Sequence, residues 1–165
     1  MSKVSENALI FHPEFQQRLG AFVAAWSSFD LTTDFAIWKF LNVSSVQAHL
    51  IVNGMTFGKK AKLLSDLIKR SEHPNKNNII RAFNEARNCV DRDSIIHAYI
   101  QTDDDTVTFV TKNQSGSYKT KSKTFTLQEF KLYVDTFQMK GVYFHLAMGL
   151  SREEYATFAE ASIEP

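Results

Sequence analysis

The chain has one cysteine, Cys89, in 165 residues. No disulfide can form within it, and no cysteine-based metal cluster can be built. Cys89 reads as a small buried thiol, the usual fate of a free cysteine. Net charge is only +1, so no global field argues for nucleic acid or membrane, and any electrostatic argument must be local. No run approaches the roughly 18 apolar residues of a membrane span. Gly-Ala-Phe-Val-Ala-Ala-Trp at 20–26 is apolar but short, with Arg18 and Asp30 on either side. The polar start, Met1 to Leu9, lacks the apolar segment of a signal peptide. These absences point to a cytoplasmic protein with no membrane partner. Gly-x-x-x-x-Gly-Lys, Gly-x-Gly-x-x-Gly, His-Glu-x-x-His and Gly-x-Ser-x-Gly are all missing. The five histidines are scattered singly. Spacing gives no support to a metal site from His49, His97 and His145, and no cofactor is implied.

What is present is ordinary globular composition, 44% hydrophobic and 22% charged, with 14 Phe and 2 Trp. That implies a core built on aromatics, and the length suits one domain over residues 1–165. Residues 1–11 read as a loose arm. Pro13 suits a first helical turn. From there Phe15, Leu19, Phe22, Trp26 and Phe29 repeat at helical steps. Leu31, Phe35, Trp38 and Leu41 continue the pattern with a shift of phase, which suggests a bend at Asp30–Thr33.

Ser44 is the expected cap of a short helix ended by Gly54. Thr56 opens another at about 57–71, with Leu63, Leu64, Leu67 and Ile68 inward and Lys59, Lys60, Lys62, Lys69 and Arg70 on a solvated face. Residues 71–78, with Pro74, form a loop. After Ile100 the period changes to two. Val107 and Phe109 mark a strand, 113–116 a turn, and 117–125 a return strand, giving a β-hairpin at about 105–125. Lys119, Lys121 and Lys123 share one face of that strand. They are either edge-protecting charge or a basic rim.

Thr126-Leu-Gln-Glu129 is a capping box that opens a long helix. Its core face is expected from Phe130, Val134, Phe137, Met139 and Tyr143 or Phe144, and Gly141 marks a bend or a close approach. Ser151-Arg-Glu-Glu154 is a second capping box, and 151–165 reads as a short terminal helix and tail. The fold class is mainly α.

The stretch Phe83–Ile100 reads as a helix with Phe83, Ala86 and Val90 on one stripe. Its centre is crowded with Arg87, Asn88, Asp91, Arg92 and Asp93 and ends in His97. On a continuous helix Arg92 and His97 would lie about 140° apart, with both side chains long enough to lean into one groove. Asp93 and His97 are at i, i+4, where a carboxylate can hold the imidazole in one tautomer and raise its pKa. Arg92 supplies fixed charge for a phosphate. Together they hold the elements of metal-free phosphodiester cleavage: an imidazole for proton transfer and a guanidinium for the charged transition state. A plainer reading makes the cluster a structural ion-pair group and His97 a hydrogen-bonded core histidine.

Asp-Arg-Asp-Ser-Ile-Ile-His-Ala-Tyr, 91–99, resembles the Arg-polar-x-x-x-His signature of the HEPN superfamily. The arrangement of helices and hairpin over roughly 13–148 is similar to the bacterial branch that reads Arg-Asn-x-x-x-His-Gly-x-Trp. Asp93 stands where Asn is commonest, and Ala98-Tyr99 replaces the Gly and the residue after it. The resemblance implies a HEPN-like helical bundle with an inserted β-hairpin, a homodimer, and a composite site from two copies of the motif. It implies a metal-independent endoribonuclease acting on RNA, as a toxin or phage-defence component with a cognate antitoxin or other partner protein. Other members are catalytically inactive binding modules. In an active member Arg92 would grip the scissile phosphate, His97 would activate the 2′-hydroxyl or protonate the leaving oxygen, Asp93 would orient, and Tyr99 would stack or line the groove. Arg87, Asn88 and Asp91 are supporting.

Overall fold

The computed structural model describes residues 8–112 and 120–160. Its elements run α1 (Pro13–Leu41), α2 (Ser45–Val52), α3 (Phe57–Arg70), α4 (Lys76–Cys89), α5 (Asp93–Ile96), β1 (Tyr99–Thr102), β2 (Thr106–Lys112), β3 (Thr120–Thr126), α6 (Leu127–Met148) and α7 (Arg152–Glu160). The fold is mainly α with a small antiparallel sheet in the order β1-β2-β3. The turn at 113–116, Lys119 and tail residues 161–165 lie outside the described residues, as do 1–7 of the arm. The rest of the arm is not loose. Leu9 donates its N–H to the Asp103 carbonyl at 2.7 Å, and Ala8 and Leu9 are buried.

The chain divides into two compact units, 1–26 with 87–139 and 27–86 with 140–165. In the first, Phe15 and Phe22 of α1 meet the buried face of α6 and the inner face of the sheet. Phe15 lies 4.9 Å from Phe130, ring to ring, and Phe22 lies 5.7 Å from Phe137. Phe109 packs against Phe125 and Phe130. Each buried Phe stabilises by about 1.5–3 kcal/mol through removal from water. The period-two pattern of β2, with Val107 and Phe109 buried, is what aims these rings inward.

In the second unit Phe29 of α1 packs on Phe83 of α4 and on Phe144 of α6. Phe35, Ala48 and Phe158 form a further cluster. His49 of α2 stacks on Phe158 and bonds its carbonyl at 2.8 Å, which makes it a structural histidine. α1 runs without interruption through the phase shift at Asp30–Thr33. The hydroxyls of Thr32 and Thr33 are absorbed by carbonyls four residues back.

The caps formed as expected. Ser44 makes a capping box with Gln47, Thr126 with Glu129, and Ser151 with Glu154. Gly54 sits at φ 74°, a left-handed conformation that glycine adopts without strain. Three expectations about faces fail. Lys60 is 8% exposed and not on a solvated face. Its ammonium reaches Asp30 at 3.1 Å and Asp34 at 2.8 Å. Met139 is exposed, and of Tyr143 and Phe144 it is Phe144 that turns inward, so the buried face of α6 is Phe130, Val134, Phe137, Phe144 and Met148. A Cβ placed on Gly141 would meet nothing within 4 Å, so no element approaches closely there.

Candidate functional site

The largest departure from the sequence reading lies in the motif itself. The helix expected over Phe83–Ile100 ends at Cys89, and Cys89 is only half-buried. Asp91 turns its carboxylate back on the chain, with Oδ1 accepting the Ser94 N–H at 3.2 Å and Oδ2 the Ser94 hydroxyl. Side chains of Asp and Ser that bond nearby backbone offer an alternative to the helical ladder. A new single turn, α5, begins, and His97 closes it. Tyr99, Ile100 and Thr102, aromatic and β-branched, then form β1 against β2, with Tyr99 opposite Val110. The hairpin is therefore a three-stranded sheet.

Because Arg92 and His97 sit at the two ends of one turn, their side chains converge. Arg92 Nη1 lies 3.1 Å from His97 Nε2 and 2.9 Å from Asp93 Oδ1. Guanidinium has no acceptor, so Nε2 receives that hydrogen bond and the proton of the neutral ring sits on Nδ1. Asp93 Oδ1 is 4.0 Å from Nε2, so Asp93 holds Arg92 more closely than it holds the histidine. The guanidinium also lies over the Trp26 indole at 5.7 Å, a cation–π contact worth about 0.5–1 kcal/mol when exposed. Arg92 Nε is buried and has no hydrogen-bond partner among the described residues. The imidazole is 63% exposed, against 33% for the arginine side chain.

Tyr133 on α6 accepts the Asp91 N–H at 2.8 Å and so fixes the start of the turn. Burial pushes its hydroxyl up to about 12, against the lowering effect of that hydrogen bond. Asp91, Asp93, His97 and Tyr99 line one groove, in which Lys112 and Lys121 also stand. Arg92 adjoins it through His97. Arg87 and Asn88 bond one another at 3.2 Å on the last turn of α4 and do not line it.

Trp26, Ser94, Tyr133, Lys112 and Lys121 are thus parts of the site that sequence reasoning did not assign to it. Trp26 falls on the apolar stripe of α1 and reads as core. The one available signal was the basic strand 119–123, through Lys121. Lys123 instead lies over Tyr133, 4.1 Å from the ring centre. Among the described residues no group of three or more His, Cys, Asp or Glu is placed to hold a metal ion, and no helix is long and apolar enough to cross a membrane.

The fold and this cluster define a mainly α-helical protein with a small antiparallel sheet and an Arg–Asp–His group at a helix-to-strand junction. The chain matches no protein-family model, no curated protein and no solved structure.

Proposed function

We propose that the protein is a HEPN-type, metal-independent endoribonuclease. The observation that supports this reading is the Arg92–His97 contact at 3.1 Å, which pairs a phosphate-binding group with a proton acceptor. Nε2 faces the guanidinium in the resting site. A substrate phosphate that engages Arg92 would free it. Nε2 would then take the proton of a 2′-hydroxyl as its oxygen attacks the adjacent phosphorus. The bond to the 5′-oxygen breaks, leaving a 2′,3′-cyclic phosphate, and the 5′-oxygen takes up a proton. Arg92 offsets charge on the phosphorane. Because the nucleophile belongs to the substrate, DNA is not cut.

One trio supplies one imidazole, so the second proton transfer calls for another copy. The proposal therefore includes a homodimer. Leu132, Met139 and Leu146 of α6 are exposed and spaced by seven, the period of a helix seam that packs on a copy of itself. A defence or toxin role with a cognate antitoxin, in the cytoplasm, belongs to the same proposal.

A second reading has its own support. Arg92 is already engaged by Asp93, His97 and Trp26, as in a closed structural cluster. That favours a catalytically inactive dimeric interaction module. Incubating the protein with single-stranded RNA in EDTA decides between them. The ribonuclease should cut, and Arg92→Ala or His97→Ala should abolish cutting with the melting temperature preserved. Absence of cleavage, with both variants markedly destabilised, supports the module instead.

A further inference from the structure

The groove beside the Arg92–Asp93–His97 cluster has a volume of about 770 Å³, within the roughly 300–1,000 Å³ of small-molecule sites. Its two ends differ in chemistry. Near the cluster stand Asp91 and Asp93, and both carboxylates are engaged, by Ser94 and by Arg92. The other end is formed by the sheet and carries Tyr99, Lys112 and Lys121, with no acidic side chain.

Strand alternation places these groups. Tyr99 is opposite Val110, so Tyr99, Val110 and Lys112 share the outer face of the sheet. Lys121 stands opposite Thr111 on the neighbouring strand, on the other parity of the sheet from Tyr99, and also lines the groove. Tyr99 is 71% exposed, in a chain whose phenylalanines are mostly buried. It offers a ring to solvent in the groove that Lys112 and Lys121 also line. Among the described residues neither lysine has an ion-pair partner. An exposed ring that shares a groove with two such ammonium groups suits a ligand that alternates flat rings with negative charges.

We propose that this groove is a binding track for single-stranded nucleic acid. One base stacks on Tyr99, the flanking phosphates rest on Lys112 and Lys121, and the strand leads on toward Arg92. The choice of ligand rests on the ribonuclease reading; the groove and its charges do not. The track places a nucleotide beside the scissile position without taking part in proton transfer, so Tyr99 is a positioning residue.

The test uses the full chain and a fluorescein-labelled 12-mer of 2′-O-methyl uridine, which lacks a nucleophile, with anisotropy read at several salt concentrations. Wild type should bind, and should bind a blunt duplex of equal length at least tenfold more weakly. Tyr99→Ala should weaken binding about tenfold, while Tyr99→Phe keeps it. Lys112→Ala with Lys121→Ala should reduce the slope of log affinity against log salt by about 1.4, the loss of two phosphate contacts at about 0.7 each. Lack of wild-type binding, or unchanged affinity in Tyr99→Ala and in the lysine pair, overturns the proposal. The two readings fail separately. Binding that needs Tyr99 in a protein that cuts no RNA removes the ribonuclease and leaves the track. Cleavage by groove variants that bind and cut as wild type does removes the track and leaves the ribonuclease.

Discussion

Arg92 and His97 meet at 3.1 Å because the helix between them is one turn long. On an uninterrupted helix the same residues would point about 140° apart. The contact dictates a tautomer. Long-range ¹⁵N–¹H correlation spectra of the neutral His97 ring should show the proton on Nδ1, and Arg92→Ala should remove that preference. A wild-type ring protonated on Nε2 would contradict the donor assignment. His97→Ala should change stability by less than about 1 kcal/mol, since it loses one exposed hydrogen bond from Arg92.

Tyr133→Phe tests the anchor of the turn. Below pH 10 the variant should lose about 1 kcal/mol, the worth of one hydrogen bond to the Asp91 N–H. The wild-type hydroxyl is pushed up to about 12 from 10.0, chiefly by burial. The unfolded chain therefore loses its proton first. The contribution of Tyr133 is full below pH 10 and falls as pH rises from 10 toward 12. The higher urea midpoint of the wild type at pH 9 should be lost by pH 11.5. An equal gap at both values would show that Tyr133 does not carry the alkaline loss.

Lys60 presents the reverse case, a buried cation held by two acids. Burial disfavours its charge, but the hydrogen bonds and charges of Asp34 and Asp30 outweigh that and raise its pKa above 10.5. Its contribution is therefore full up to about pH 10.5 and is lost above the raised value. Burial holds Asp34 above the usual carboxylate range, against the hydrogen bond from Lys60. Lys60→Met leaves that carboxylate unpaired and should cost about 3 kcal/mol at pH 7. The deficit should shrink as pH falls toward 4, because Asp34 takes up a proton and ceases to be a buried charge. Thermal melts at pH 4.5 and 7 measure both, and a deficit that grows in acid would refute the pairing.

Gly141→Ala should stabilise. The glycine is inside α6, and a Cβ there meets open space. Alanine gains about 0.5–1 kcal/mol over glycine in a helix interior, which for a chain of this size raises the melting temperature by about 2–3 °C. A lower melting temperature would mean that the position is crowded in solution, as in a dimer seam.

How much of this was legible in the chain depends on the range of the physics involved. Capping boxes at Ser44, Thr126 and Ser151 act within four residues, so their side chains announce them. The aromatic steps of α1 and the alternation of Val107 and Phe109 are equally local. The four-residue span Asp91–Ser94 is local too, but the longer apolar stripe on either side of it masks its signal. The Asp91 carboxylate accepts the Ser94 N–H and hydroxyl in place of the helical ladder, and the stripe does not register that.

By itself the sequence determined a mainly α chain with an aromatic core, its helix starts, and the presence of Arg92, Asp93 and His97 within six residues. Only the tertiary structure decided that α4 stops at Cys89, that Tyr99 begins a strand, and that Lys60 is buried against Asp30 and Asp34. It also decided that Trp26 and Tyr133 hold the motif. Partners outside each segment's own element carry these: β2 supplies the ladder for β1 from the next strand, while α1 supplies the carboxylates for Lys60 and α6 the hydroxyl for Asp91 from tens of residues away. Local propensity sets what a segment prefers, and the partner that satisfies its backbone and charge sets what it becomes.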